Sequence, residues 1–259
     1  THDVLRITPG DRLYRFLRRE TGQSDIKIDQ LNRLSGGASK EQFTFELRWQ
    51  PRPGETRTQK LMLRMDPTES IVETHRLREF QILRAMGGEV PVPEVMWLDA
   101  DGAALGHPAL VAGFLEGTVR PAHSEKMSGV GMYFEPQLRA VLKDQFVDIL
   151  AHIHRVDWRK KDLSAFDVPA AGTRQANERA LGLWQRAWHE DTLEAHPVMA
   201  RAGVWLKENM PGVDAPVLVH GDYRSGNFMW DANHRINAIF DWELAYLGDF
   251  HDDLAWASL

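Results

Sequence analysis

The sequence predicts an α+β fold in two lobes, and three observations predict it. Between residues 30 and 112, short stretches alternating apolar with polar side chains surround one helical stretch. From 136 to 210 the apolar residues recur mainly at helical spacing. After 216 short apolar runs return, bounded by Gly, Asp and Asn. These patterns specify a small antiparallel sheet followed by a mostly helical region. The expected division is an N-terminal lobe over 1–112, including an N-terminal helix, and a helical C-terminal lobe over 113–259.

Phe43, Phe45, Leu47 and Trp49 alternate with polar neighbours, as do Leu61, Leu63 and Met65. Alternation of period two marks strands with one face in a core. Pro51, Pro53 and Gly54 lie between them, so residues 50–58 are expected to form the connecting loop. Residues 71–86 read as a helix closed by Gly87-Gly88. Pro91 and Pro93 then favour extended chain, and 96–98 and 109–111 read as two further strands. Leu138, Val141, Leu142, Phe146, Ile149, Leu150 and Ile153 fall on one face of a long helix. Residues 174–189 and 198–209 are expected helices, and 217–219, 228–230 and 236–240 expected short strands. The Gly- and Ser-containing stretch 116–136 reads as a mobile loop, a candidate lid.

With 259 residues, the chain is long enough to bury a sizeable core without staples. It has 31 Lys and Arg against 37 Asp and Glu, a net charge of −6, which argues against a nucleic-acid or membrane-surface binder. It has no cysteine, so disulfides, thiolate metal sites and a cysteine nucleophile are impossible. The longest uncharged apolar stretch, 102–115, is too short to span a bilayer and contains His107 and Pro108. Thr1-His2-Asp3 opens no signal-peptide pattern, and a cytoplasmic location is expected. The sequence ends on the apolar run 254–259, so the C-terminal lobe is expected to be truncated there.

The chemistry is concentrated in His220-Gly221-Asp222-Tyr223-Arg224-Ser225-Gly226-Asn227 and in Asp241-Trp242-Glu243. Asp222 and Asp241 each close an apolar strand, and Asn227 follows Asp222 by five residues. Strand ends hold side chains rigidly and leave their tips in a cleft. Two carboxylates and an amide oxygen suit Mg²⁺, a hard ion that takes oxygen ligands. Phosphoryl transfer needs such ligands together with a carboxylate that orients the acceptor hydroxyl.

The spacing from Asp222 to Asn227 and then Asp241 resembles the catalytic loop and metal-binding Asp of protein kinases. The wording around His220-Gly221-Asp222 and Asp241-Trp242-Glu243 is similar to that of the aminoglycoside phosphotransferase and choline kinase group. The longer string through Leu247-Gly248-Asp249 to Asp253-Leu254-Ala255 resembles the branch that includes the kinase-like domain of acyl-CoA dehydrogenase fusion proteins. The resemblance covers about residue 31 to the end.

It implies a protein-kinase-like fold and an ATP- and Mg²⁺-dependent transfer of phosphate to a hydroxyl of a small molecule. Asp222 is then the catalytic base, His220 braces its loop, and Asn227 and Asp241, supported by Glu243, hold the metal. Gly36, Gly37 and Ser39, just before the first strand, are candidates for a phosphate-binding turn. This turn is neither Gly-x-x-x-x-Gly-Lys nor Gly-x-Gly-x-x-Gly. The strand Lys of kinase-like folds is replaced by Arg64, which keeps the charge and adds a planar fork. Its helix partner is expected to be Glu79, with Glu73 as rival, and Gly113 and Phe114 fall at the hinge that meets adenine.

Two other readings stand beside this one. Arg64 in the Lys position fits a nucleotide-binding pseudokinase or regulatory module. A metal-dependent hydrolase is weaker, because no His-Glu-x-x-His spacing occurs. Elsewhere the plainer readings prevail. His152 and His154 face different ways on a helix, most of the nine Trp read as core, Asp249 reads as a helix N-cap, and Asp253 as a structural carboxylate.

Overall fold

In the computed structural model of the chain, residues 8–34, 41–66, 75–121 and 132–258 are described. In chain order these form α1 (Pro9–Thr21), β1 (Lys27–Arg33), β2 (Glu41–Arg52), β3 (Glu55–Met65), α2 (Arg76–Met86), β4 (Val95–Asp99) and β5 (Ala109–Gly113). There follow α3 (Pro136–Arg155), α4 (Gln175–Asp191), α5 (Pro197–Glu208), β6 (Val217–Val219), β7 (Phe228–Trp230), β8 (Ile236–Ile239), β9 (Tyr246–Gly248) and α6 (His251–Ala257). The architecture is α+β. The chain groups into two compact units, one up to Thr118 together with Met229–Glu243, the other Val119–Phe228 together with the chain from Leu244 onward. A single cut after 112 draws this differently, because residues 229–243 join the first unit.

The first unit is built on a five-stranded antiparallel sheet in the order β1-β2-β3-β5-β4. Its register sets Phe45 opposite Leu61 and Phe43 opposite Leu63. Period two therefore turns Phe45, Leu47, Trp49, Leu61, Leu63 and Met65 to one face, where they pack under Leu13, Phe16 and Leu17 of α1. Each such side chain contributes roughly 1.5–3 kcal/mol by leaving water. α1 starts on a capping box in which Thr8 and Asp11 exchange side-chain and backbone bonds. The opposite face of β3 is left to Met62 and Arg64. α2 lies against β4 and β5.

Three expectations change here. Residues 50–58 are mostly strand rather than loop. β2 runs to Arg52 and β3 starts at Glu55, with Arg52 paired to Glu55 around a tight turn in which Gly54 has φ +81°. β1 was not expected, since its side chains are almost all exposed and only its backbone pairing with β2 makes it a strand. The expected helix over 71–86 is observed from Arg76, while residues 71–74 lie outside the described residues.

In the second unit α3 reproduces the predicted long helix and buries Leu142, Leu150 and Ile153 of the predicted face. β6 and β9 pair antiparallel. The helices expected near 174–189 and 198–209 are α4 and α5. Trp49, Trp158, Trp230 and Trp242 are buried and Trp97 packs against the core, as the reading of most Trp as core expects, and three depart from it. Trp184, Trp188 and Trp205 are exposed, because α4 buries only Ala176 and α5 buries none of its residues. The core of the candidate lid, 122–131, lies outside the described residues. Among the described residues no helix is long and apolar enough to cross a membrane.

Candidate active site

In the second unit, β6 delivers the chain to His220, which is fully buried. The loop turns at Gly221, whose φ is +84°. A Cβ there would stand 2.5 Å from the carbonyl oxygen of Leu244, so only glycine fits. The His220 ring accepts the Asp222 amide at 3.2 Å and packs edge-on to Tyr223. Tyr223 donates its hydroxyl to the Phe146 carbonyl of α3 at 2.8 Å. Burial, reinforced by the negative charge of Asp253, pushes this hydroxyl well above its ordinary range, so it remains a donor. Asp253 of α6 accepts the backbone N–H groups of His220 at 2.8 Å and Gly221 at 2.9 Å. Asp253 thus joins α6 to the backbone of the loop that holds His220.

Both carboxylate oxygens of Asp222 are engaged. Asn227 donates its amide nitrogen to Oδ2 at 2.6 Å and to the Asp222 carbonyl at 2.9 Å. Arg224 donates Nε to Oδ1 at 2.7 Å. Asp222 is thus fixed in orientation at 13% side-chain exposure, reachable by a ligand yet not freely solvated. Arg224 carried no expectation from the sequence, although its place two residues after Asp222 was the available signal.

Asp249 lies one residue before the cap of α6 rather than at it, since Phe250 occupies the cap position. It still takes the His251 backbone N–H at 3.1 Å and the His251 ring at 2.7 Å. Burial alone would raise its carboxyl, but these donors outweigh burial and hold it below the usual range. His154 Nε2 lies 2.9 Å from Oδ2 of Asp253.

In the first unit, Arg64 projects from β3 and forms an ion pair with Glu79 of α2. Both are buried. The rival Glu73 and the candidate turn residues Gly36, Gly37 and Ser39 lie outside the described residues. Gly113 and Phe114 have spent their amide N–H groups inside the protein, on the Glu94 carbonyl at 2.8 Å and the Lys60 carbonyl at 3.1 Å. Any base recognition there must therefore use other groups of the segment. The Lys60 ammonium lies 4.2 Å from the centre of the Phe114 ring. Asp241 follows β8 at φ +62°, a left-handed conformation in a residue that is not glycine. Such strain, costing roughly 1–3 kcal/mol, persists where the surroundings enforce it and clusters at functional sites. Glu243 sits in the 3₁₀ turn Trp242–Leu244 directly after it.

Each unit by itself offers an oxygen donor next to the elements described above. The Asn227 amide oxygen and the Asp241 carboxylate are oxygen ligands of the class Mg²⁺ takes. Among the described residues no group of three or more His, Asp or Glu forms a ready cage. Mg²⁺ commonly dispenses with one by keeping waters and substrate phosphates.

Acyl-CoA dehydrogenase family member 10 of Mus musculus is 27% identical over 97% of this chain and 22% of its own length. Probable acyl-CoA dehydrogenase IBR3 of Arabidopsis thaliana is 27% identical over 100% of this chain and 30% of its own length. The chain thus spans less than a third of these curated relatives. A crystal structure from Ralstonia eutropha, assigned to the aminoglycoside phosphotransferases, superposes with a TM-score of 0.69 at 25% identity, over 96% of this chain and 68% of that one. Aminoglycoside phosphotransferase APH(4)-Ia, in ternary complex with ADP and hygromycin B, shares the fold at a TM-score of 0.58 and 20% identity, over 94% of this chain and 75% of that one. The fold is therefore the protein-kinase-like one. A model described as the phosphotransferase enzyme family matches residues 30–259, and the chain belongs to that family.

Proposed function

We propose that this protein transfers the γ-phosphoryl group of ATP to a hydroxyl of a small molecule in the cytoplasm. The observation that carries the reading is Asp222, oriented by Asn227 and Arg224 on a loop clamped by Asp253. In the reaction the acceptor oxygen forms a bond to the γ-phosphorus and the bond to the β–γ bridging oxygen breaks. The hydroxyl proton passes to Asp222, and ADP leaves. A positioned base of this kind contributes roughly 10²- to 10⁴-fold. Arg64 supplies positive charge for the nucleotide's phosphates, with Glu79 as its counterion. The proposed Mg²⁺ ligands are Asn227 and Asp241, with Glu243 in support, and the bound ion would neutralise charge on the phosphates. Gly36, Gly37 and Ser39 are proposed to line the phosphates, and the segment at Gly113 and Phe114 to meet the base.

The acceptor is proposed from the relatives' names. Both curated relatives are named as acyl-CoA dehydrogenases, so a hydroxylated acyl-CoA is the first acceptor to test. A nucleotide-binding module without transfer is the second reading, and Arg64 in place of the expected Lys is what favours it.

Calorimetric titration of MgATP into the wild type, Asp222→Ala and Asp241→Asn tests the proposal alongside transfer assays. The expected result is magnesium-dependent binding in the wild type, its collapse in Asp241→Asn, and binding without transfer in Asp222→Ala. Transfer that survives in Asp222→Ala would overturn the role of the base. Binding without turnover on any acceptor would favour the second reading.

A further inference from the structure

Glu79 is shared between two cations. Arg64 approaches it from β3 and Arg76 from the first turn of α2, one guanidinium on each carboxylate oxygen. Arg76 also places Nη2 2.5 Å from Oδ1 of Asp66, the residue that follows β3. Side-chain exposure is 0% for Arg76, 3% for Glu79, 11% for Arg64 and 13% for Asp66. Two positive and two negative charges are therefore held together, Arg76 and Glu79 buried and Arg64 and Asp66 largely so, and they balance one another. Burial of this kind is tolerated only when every charge is answered.

Arg76 changes what Arg64 can do. An Arg facing a carboxylate alone tends to close into a bidentate fork, with both oxygens and two nitrogens consumed. Here Arg76 occupies one oxygen of Glu79, and Arg64 meets the other through Nη1. The Arg64 Nε is buried and has no hydrogen-bond partner. An orphaned charged donor at a buried site is costly unless a ligand satisfies it. Asp66 anchors Arg76 in turn, so the arrangement does not depend on α2 alone.

We propose that Arg76 is a positioning residue of the phosphate site. Anchored on Asp66, it holds Glu79 as a shared counterion, so that Arg64 keeps part of its fork for phosphate oxygens. The proposal rests on the reading of Arg64 given above. It also accounts for how an Arg can stand where the fold commonly has Lys, since a second cation prevents the tighter Arg–Glu pair from closing.

The test is a pairwise cycle of Arg64→Gln and Arg76→Gln, read by calorimetry with MgATP and, separately, with adenosine. Each single variant is expected to weaken ATP roughly tenfold or more, the size of a lost charge-assisted bond. Adenosine, which has no phosphate, is expected to bind all the variants alike, an outcome a general structural defect would not give. The double variant is expected to be no weaker than Arg64→Gln alone, and Arg76→Lys to recover part of the loss. If Arg64→Gln weakens ATP while Arg76→Gln does not, or if the two losses multiply, the role of Arg76 is overturned and that of Arg64 stands. If the wild type binds no ATP, or Arg64→Gln leaves its affinity unchanged, the reading of Arg64 fails and takes the proposal with it. Should Arg76→Gln not fold, Asp66→Asn carries the same test, because it releases the anchor and keeps both arginines. Unchanged ATP affinity in that variant would equally overturn the proposal.

Discussion

His154 Nε2 lies 2.9 Å from Oδ2 of Asp253, although the two residues are 99 positions apart in the chain. Asp253 is fully buried and takes the amides of His220 and Gly221 with the same carboxylate. One acid thus ties α3 and α6 to the loop that carries Asp222. The Tyr223 hydroxyl on the Phe146 carbonyl adds a second tie from the loop to α3. The proposed base is therefore held through its backbone, independently of whatever its side chain binds.

Asp253→Ala removes the acceptor for two buried amides and leaves them without partners. Each such orphan costs roughly 1–3 kcal/mol, so a loss of about 2–6 kcal/mol in unfolding free energy is expected. Urea denaturation measures it. Transfer should fall even where the protein remains folded, since the Asp222 backbone loses its clamp. A variant as stable and as active as the wild type would remove Asp253 from this role.

Gly221→Ala tests the turn itself. The φ of +84° disfavours any L side chain by roughly 1–2 kcal/mol. The new Cβ would also stand 2.5 Å from a backbone oxygen, that of Leu244, which cannot rotate aside. A stability loss of at least about 2 kcal/mol is expected from the two effects together. A change below about 0.5 kcal/mol, the range of ordinary surface substitutions, would show that the loop relaxes freely.

What the sequence discloses of this architecture is what lies close together along the chain. Phe45 and Leu47 on β2, and Leu61 and Leu63 on β3, reveal their strands because each strand's alternation is complete within a few residues. Asp222, Asn227 and Asp241 are legible for the same reason, as short spacings beside apolar strands. The tight β2–β3 turn was hidden because Arg57, Thr58 and Gln59 lie where the strands leave the core and no face is apolar. β1 was hidden because its pairing is carried by backbone rather than by buried side chains. The bond from His154 to Asp253 and that from Arg76 to Asp66 leave no periodicity at all, since folding alone brings those partners together. The tryptophans of α4 and α5 misled in the other direction, because helical apolar spacing does not disclose whether the face it makes is covered.

Asp252 gives a pH-dependent prediction. Burial raises its carboxyl above 3.8, the nearby negative charges of Asp253 and Asp249 add to this, and the Tyr246 hydroxyl donating at 2.8 Å partly opposes it. The folded state then holds this proton more tightly than the unfolded state. Stability therefore falls as pH rises from about 3.8 through the folded value, and the penalty is fully present above it. Asp252→Asn removes the titrating group while keeping an acceptor for Tyr246. It should raise the thermal midpoint at pH 7 and lose that advantage as the pH approaches 4. An equal gain at both pH values would trace the effect to packing rather than charge.

Glu79→Gln strikes the shared counterion of the first unit. The substitution keeps the shape and removes the charge, taking from the guanidiniums of Arg64 and Arg76 the carboxylate they share while Asp66 still pairs with Arg76. Breaking a buried pair by removing one partner typically costs about 3–5 kcal/mol, because the surviving charge remains buried without compensation. Two cations depend on this one acid, so the expected loss lies in the upper part of that range. Urea denaturation reads it directly. Replacing Arg76 as well, as Arg76→Met in the Glu79→Gln background, should recover part of the loss by restoring a balance of one cation to one anion. A double variant less stable than Glu79→Gln alone would show that Arg76 is held by Asp66 and by packing, with Glu79 contributing little to its burial.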